Sequence, residues 1–171
     1  MAKLIILEGL SRTGKTTIAN DLKDHGYGRI VSIKNKMPEC EDLTSFYKGC
    51  FYSYDAFFDA FPDETFILDR SFLSEMVYPS FYGRPQSISA NYIMDFVTKH
   101  DINLFMLGNL HKDYMDRGPK DSYIYTNEDY LILENLFAEN LMRVERYIKS
   151  EVIDTSTNNI KQTLKLIKQT L

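Results

Sequence analysis

Short apolar runs alternate along the chain with longer stretches in which hydrophobic positions recur every three or four residues. The runs predict strands over Lys3–Glu8, Arg29–Ile33, Thr65–Asp69, Ile102–Leu107 and Glu151–Asp154. The stretches between them predict helices over Lys15–His25, Glu41–Phe61, Phe72–Tyr82, Ser87–Lys99, Asn127–Ser150 and Thr157–Leu171. Each strand is almost wholly apolar, the pattern of a sheet covered on both faces. Five such strands separated by helices predict an α/β fold, a three-layer α/β/α sandwich built on a five-stranded parallel sheet. In sheets of this kind ligands sit at the carboxyl ends of the strands.

Two stretches interrupt the alternation. Tyr82-Gly83-Arg84-Pro85-Gln86 is a turn cluster between helices. Asn109 to Thr126 is polar, contains Gly118-Pro119 and has weak helical signal in its second half. A connection this long inside a compact domain is more often functional than a plain surface loop, so a lid is expected at about 109–126. With no internal repeat and no Gly/Ser-rich linker, the 171 residues read as one domain.

The strand ending in Ile6-Leu7-Glu8 runs into Gly9-Leu10-Ser11-Arg12-Thr13-Gly14-Lys15-Thr16, and a helix opens at Lys15. The segment fits G-x-x-x-x-G-K-[ST] at every fixed position, between the strand and the helix its chemistry requires. Glycines let the backbone curl so that successive N–H groups point at a phosphate, while the helix amino end adds its dipole. Gly9 through Thr17 therefore form the candidate ATP-binding loop. Lys15, taken as a surface-lying loop lysine, bridges β- and γ-phosphates, and the Thr16 hydroxyl is placed to ligate Mg²⁺.

A second acidic feature lies on the strand Phe66-Ile67-Leu68, which delivers Asp69 and Arg70 to its carboxyl end. If the two strands are neighbours, both residues land beside the loop. Asp69 would then hold the hydration shell of the metal or accept a proton, and Arg70 would bind an acceptor group or the transferring phosphoryl. The Asn-Lys-x-Asp reading head of guanine-nucleotide switches is absent.

Composition narrows the partners. The chain is 44% hydrophobic and 26% charged, a folded-protein profile, and its net charge of -4 gives no whole-molecule field for nucleic acid or anionic membrane. A polyanion must be gripped locally, which makes nucleic acid a disfavoured partner. The early apolar run Leu4–Leu7 is too short for a leader or a membrane span, so a cytoplasmic location and no membrane contact are expected. Cys40 and Cys50 fit no metal-ligand spacing and are expected as buried free thiols.

Three segments together carry a family likeness. Leu7-Glu8-Gly9 running into Arg12-Thr13-Gly14-Lys15-Thr16-Thr17, Leu68-Asp69-Arg70-Ser71 with Ser74, and Val152-Ile153-Asp154-Thr155-Ser156 resemble the thymidylate kinase and deoxynucleoside kinase group of phosphate-loop nucleotide kinases. The resemblance implies an ATP- and Mg²⁺-dependent phosphotransferase acting on a nucleoside or its monophosphate, with a flexible lid and a homodimer through helices flanking the sheet. By the same likeness Arg12 is a catalytic arginine inside the loop, and Arg117 is the lid arginine that closes over the phosphates. Charge aimed at the equatorial oxygens is what phosphoryl transfer needs at both places.

The acceptor is the open question. A 5′-hydroxyl benefits from a positioned carboxylate base, whereas a monophosphate arrives ionised and needs cations. Where deoxynucleoside kinases resemble one another in a catalytic Glu, this chain has Ser32-Ile33-Lys34-Asn35-Lys36, which favours a monophosphate held by Arg70 and by Lys34 or Lys36. The aromatic helix from Phe46 to Phe61 reads mostly as a buried stripe or a subunit interface, with Tyr52 nominated by resemblance to stack on a nucleobase. Glu75 resembles an acidic base-reading position and is equally an ordinary helix-surface carboxylate. Asp55-Ala56, where thymidylate kinases resemble each other in an arginine, and Ser11, where they carry an acid, leave the base undecided. The leading expectation is an ATP-dependent pyrimidine deoxynucleoside monophosphate kinase. A deoxynucleoside kinase, a kinase of a modified base in DNA and a non-catalytic ATP-binding protein stand as alternatives.

Overall fold

The computed structural model describes residues 1–32, 42–108 and 126–171. Lys34, Lys36, Cys40 and Arg117, together with nearly all of the expected lid, lie outside these residues. The apolar runs form β1 (Lys3–Glu8), β2 (Arg29–Ser32), β3 (Thr65–Asp69), β4 (Asp101–Gly108) and β5 (Lys149–Asp154). Between and after them stand α1 (Lys15–Asp24), α2 (Leu43–Ala60), α3 (Phe72–Tyr82), α4 (Ala90–Lys99), α5 (Asn127–Val144) and α6 (Ile160–Thr170). All pairings in the sheet are parallel, in the order β2-β3-β1-β4-β5. The expected five-stranded three-layer α/β/α architecture is the one observed.

The alternation of side chains along a strand divides the core in two. Leu4, Ile6, Phe66, Leu68, Ile102 and Leu104 face α3, α4, α5 and the buried edge of α2. Ile5, Leu7, Ile67, Phe105, Leu107 and Ile153 face α1 and α6. Glu8 follows the parity of Leu4 and Ile6 and is fully buried on the first of these faces.

The chain leaves β1 for β2 at one edge of the sheet, returns through β3, and crosses β1 to reach β4. β1 and β3 are therefore hydrogen-bonded neighbours, with Leu7 opposite Asp69. Their carboxyl ends, and the segments that follow them, emerge side by side at the point where the winding reverses.

Three details differ from the sequence expectation. The helix predicted to Ser150 ends at Val144, followed by a 3-10 turn over Glu145–Tyr147 and then β5 from Lys149, where pairing with Asn103 begins. The strand partner wins over helical propensity in a segment with no Gly or Pro to stop it. Of the rings on α2 only Phe51 and Phe58 are buried, while Tyr52, Phe57 and the capping Phe61 are exposed. Cys50 is a free thiol of intermediate exposure, not a buried one, because it lies off the Phe51–Phe58 seam. No described helix is long and apolar enough to cross a membrane.

Candidate active site

The turn after β1 is built by backbone that few residues tolerate. Gly9 has φ +124°, and a Cβ there would stand 2.2 Å from the Leu107 carbonyl oxygen, so only glycine lets the turn pass over β4. Gly14 caps α1 in the left-handed region at φ +88°. Arg12, between them, also takes a left-handed conformation at φ +67° despite its side chain. Strain of this kind costs about 1–3 kcal/mol and persists where the surroundings over-determine it, typically at functional sites.

Lys15 is not on the surface as expected: it is 3% exposed. Its ammonium turns back into the loop, donating to the Leu10 carbonyl and, at 3.0 Å, to the Thr13 hydroxyl. The Thr13 hydroxyl in turn donates to the Leu10 carbonyl at 3.1 Å. The loop thus holds a buried cation beside the first turn of α1, whose N–H groups open from a glycine cap without a side-chain cap. Fixed charge, the amino end of a helix and glycine curvature together suit an anion with several oxygens.

The neighbouring strand β3 brings the second half. Thr16 donates its hydroxyl to Asp69 Oδ2 at 2.6 Å, and Asp69 is 3% exposed. A hydroxyl and a carboxylate meeting at the edge of an anion-binding turn are hard oxygen donors, and their chemistry fits magnesium. Arg70 stands at φ +76°, its backbone N–H bonded to the Leu7 carbonyl at 3.0 Å. Its guanidinium reaches back over the loop, donating to the Gly9 carbonyl at 3.1 Å and to Ser11 Oγ at 3.4 Å. Ser74 Oγ at 3.2 Å and the Tyr78 hydroxyl at 3.0 Å take the rest of its reach on α3. Burial opposes its charge, but Tyr78, Glu8 and Asp69 outweigh that opposition and move its pKa above the ordinary value. The result is a permanently charged guanidinium, pinned in place.

Glu8, which sequence reasoning passed over as the polar end of an apolar run, underlies this arrangement. Its Oε1 accepts from Ser71 N at 2.6 Å, Ser71 Oγ at 3.2 Å and Ser74 N at 3.1 Å. Its Oε2 accepts from Ser74 Oγ at 2.6 Å. Burial pushes its carboxyl up from the ordinary value, against the pull of Arg70 and of the hydrogen bonds from Ser74 and Ser71. The signal that finds it is parity: a carboxylate two residues beyond Ile6 on the same strand face cannot reach water.

The other expected residues sit apart from this group. Glu75 is buried, not on the helix surface, and its carboxylate is clamped by Arg84 through two 3.0 Å hydrogen bonds and by the Ser87 backbone N–H at 3.3 Å and its hydroxyl. Arg84 also lies over the Tyr47 ring at 5.2 Å. Tyr52 is half exposed and packs on Tyr92 at 4.8 Å between ring centroids. Thr17 is exposed on the first turn of α1. The structure therefore brings together Gly9, Ser11, Thr13, Lys15, Thr16, Asp69 and Arg70, and places Tyr52 and Glu75 on α2 and α3 with other partners.

Comparison with known proteins agrees with this geometry at the level of architecture. No family model matches the sequence, and no curated protein matches it significantly. Solved structures match over nearly the whole chain. The YorR protein of Bacillus subtilis, in complex with phosphorylated GDP, superposes with a TM-score of 0.66 at 21% identity, covering 98% of this chain and 94% of that one. The fold is that of the phosphate-loop nucleotide kinases. Thymidylate kinase from Candida albicans gives 0.65 at 16% identity, covering 99% of this chain and 90% of its own. Deoxyadenosine kinase from M. mycoides with bound dATP gives 0.64 at 17% identity, with 98% of each chain covered.

Proposed function

We propose that the chain is an ATP-dependent kinase of a pyrimidine deoxynucleoside monophosphate, transferring the γ-phosphoryl of Mg-ATP. The observation that carries the reading is the meeting of Thr16, Asp69 and Arg70 at the mouth of the loop. Loop N–H groups and Lys15 take the β- and γ-phosphates of the donor. Thr16 and Asp69 would hold magnesium, which would supply positive charge to the donor phosphates. Arg70 faces the acceptor phosphate. An acceptor oxygen forms a bond to the γ-phosphorus as the bond to the bridging β,γ-oxygen breaks, and ADP leaves with that electron pair.

Asp69 supports a monophosphate over a hydroxyl acceptor. Its Oδ2 accepts from Thr16 on the donor side, and an ionised acceptor needs no base there. Lys34 and Lys36 are assigned to the acceptor phosphate, and Arg12 and Arg117 to charge developing on the transferred group. Tyr52 and the Glu75–Arg84 pair are assigned to the base. The exposed Phe57 of α2 and Phe61 just beyond its end support the homodimer.

A deoxynucleoside kinase is the second reading. It is favoured by the equally complete match to the M. mycoides enzyme, with Asp69 then acting as the base. A coupled assay of ADP release against a panel of nucleosides, nucleoside monophosphates and oligonucleotides tests both. Turnover of a pyrimidine deoxynucleoside monophosphate supports the first reading, turnover of nucleosides alone replaces it with the second, and turnover of oligonucleotides alone or of nothing overturns both.

A further inference from the structure

We propose that Glu8 is a positioning residue for Arg70, acting through the Ser74 hydroxyl, and that it governs the acceptor half of the site without touching a substrate. The inference rests on the reading of Arg70 as the acceptor-phosphate cation.

A hydroxyl has one proton and two lone pairs, and a guanidinium has donors only. Ser74 gives its proton to Glu8 Oε2 at 2.6 Å, so its lone pairs are left for Arg70 Nη1 at 3.2 Å. Any arrangement that turned the Ser74 proton toward Arg70 would set donor against donor. In its ionised form the carboxylate at position 8 forbids that arrangement, because it then only accepts.

The same carboxylate also closes off α3 as an anion site. Ser71 N and Ser74 N, backbone donors at the start of α3, both bond to Glu8 Oε1, at 2.6 and 3.1 Å. An acceptor phosphate approaching this face finds these two amides already used, which leaves Arg70 as its cation. Glu8 precedes Gly9, whose carbonyl Arg70 also bonds, so one residue ties loop, strand end and helix start to a single geometry.

Two variants separate positioning from simple structural support. Glu8→Gln keeps the size and one carbonyl acceptor but offers Ser74 an amide donor, and Ser74→Ala removes the relay. Each is expected to raise the acceptor KM by about 10-fold, the scale of one hydrogen bond to a charged group, while the ATP KM moves by less than about twofold. Ser74→Thr, which restores a hydroxyl, is expected to recover most of that loss. In ¹⁵N NMR at low temperature the Arg70 Nη1–H protons, which bond Ser74 Oγ, are expected to exchange slowly in the parent and faster in both disrupting variants.

An acceptor KM unchanged in folded Glu8→Gln and Ser74→Ala overturns the inference and leaves the kinase reading standing. Equal loss on both substrates, without rescue by Ser74→Thr, also overturns it. If the parent phosphorylates no acceptor, the kinase reading fails and the Arg70 exchange decides the positioning claim alone. Should Glu8→Gln not fold, the Ser74 pair decides.

Discussion

Thr16 donates its hydroxyl to Asp69 Oδ2 across 2.6 Å, joining the first turn of α1 to the carboxyl end of β3. The bond exists because β1 and β3 are adjacent, with Leu7 opposite Asp69, so the residue after the loop lysine and the last residue of β3 reach the same point from different elements. Replacing Asp69 by Asn keeps the shape and removes the charge. We expect kcat to fall by about 100-fold or more, with the magnesium midpoint shifted upward and the thermal midpoint nearly unchanged, measured by ADP release over a magnesium titration.

Lys15→Ala removes the cation of the loop. Turnover is expected to drop by about 1,000-fold, the range seen when a preorganised charge on a transition state is lost. The ammonium bonds the Leu10 carbonyl and the Thr13 hydroxyl inside the loop, not the apolar core, so circular dichroism should show the fold retained. Persistent activity would remove Lys15 from the phosphate clamp.

Lys34 and Lys36 changed together to Ala are expected to raise the KM for a monophosphate acceptor by about 10-fold or more with little change for ATP. Initial-rate kinetics with each substrate varied in turn checks this. An unchanged acceptor constant takes both lysines out of the site.

Gly9→Ala puts a Cβ 2.2 Å from the Leu107 carbonyl oxygen at φ +124°. A loss of about 1–3 kcal/mol of stability or more is expected from the strain alone, read from denaturant midpoints. Gly26→Ala is the control: its φ of +78° carries the backbone strain, but nothing lies within 4 Å of the added Cβ, so it should cost less.

Glu8 makes stability depend on pH. Its carboxyl is raised from the ordinary 4.5 in the folded protein, so the fold binds this proton more tightly than the unfolded chain. The stabilisation is complete below 4.5 and fades as pH rises through the folded value. The thermal midpoint of the parent relative to Glu8→Gln should therefore be highest in acid and decline toward neutrality. A difference independent of pH would contradict it.

Strands and phosphate loop were legible because both depend on local pattern: continuous apolar runs for a doubly covered sheet, and fixed glycine, lysine and threonine spacing for the turn. Asp69 and Arg70 were legible as the end of such a run. The start of β5 was not, since Glu145, Arg146 and Tyr147 continue a helical pattern and only pairing with Asn103 halts it. The role of Glu8 was hidden for a related reason: its partners Ser71 and Ser74 lie more than 60 residues away and meet it only once β1 and β3 are neighbours. Glu75 is open in the sequence between a base-reading acid and a helix-surface carboxylate, and its burial is not legible because its partner Arg84 comes from the turn cluster beyond α3.

In the proposed reading the turn between β1 and α1 grips a triphosphate and presents its terminal group to Asp69 and Arg70. Calorimetric titration of ATP with magnesium into the parent and into Lys15→Ala tests it most directly. One site per chain, magnesium-dependent and lost in the variant, is the predicted result. No heat with the parent, or the same affinity in both proteins, would contradict it.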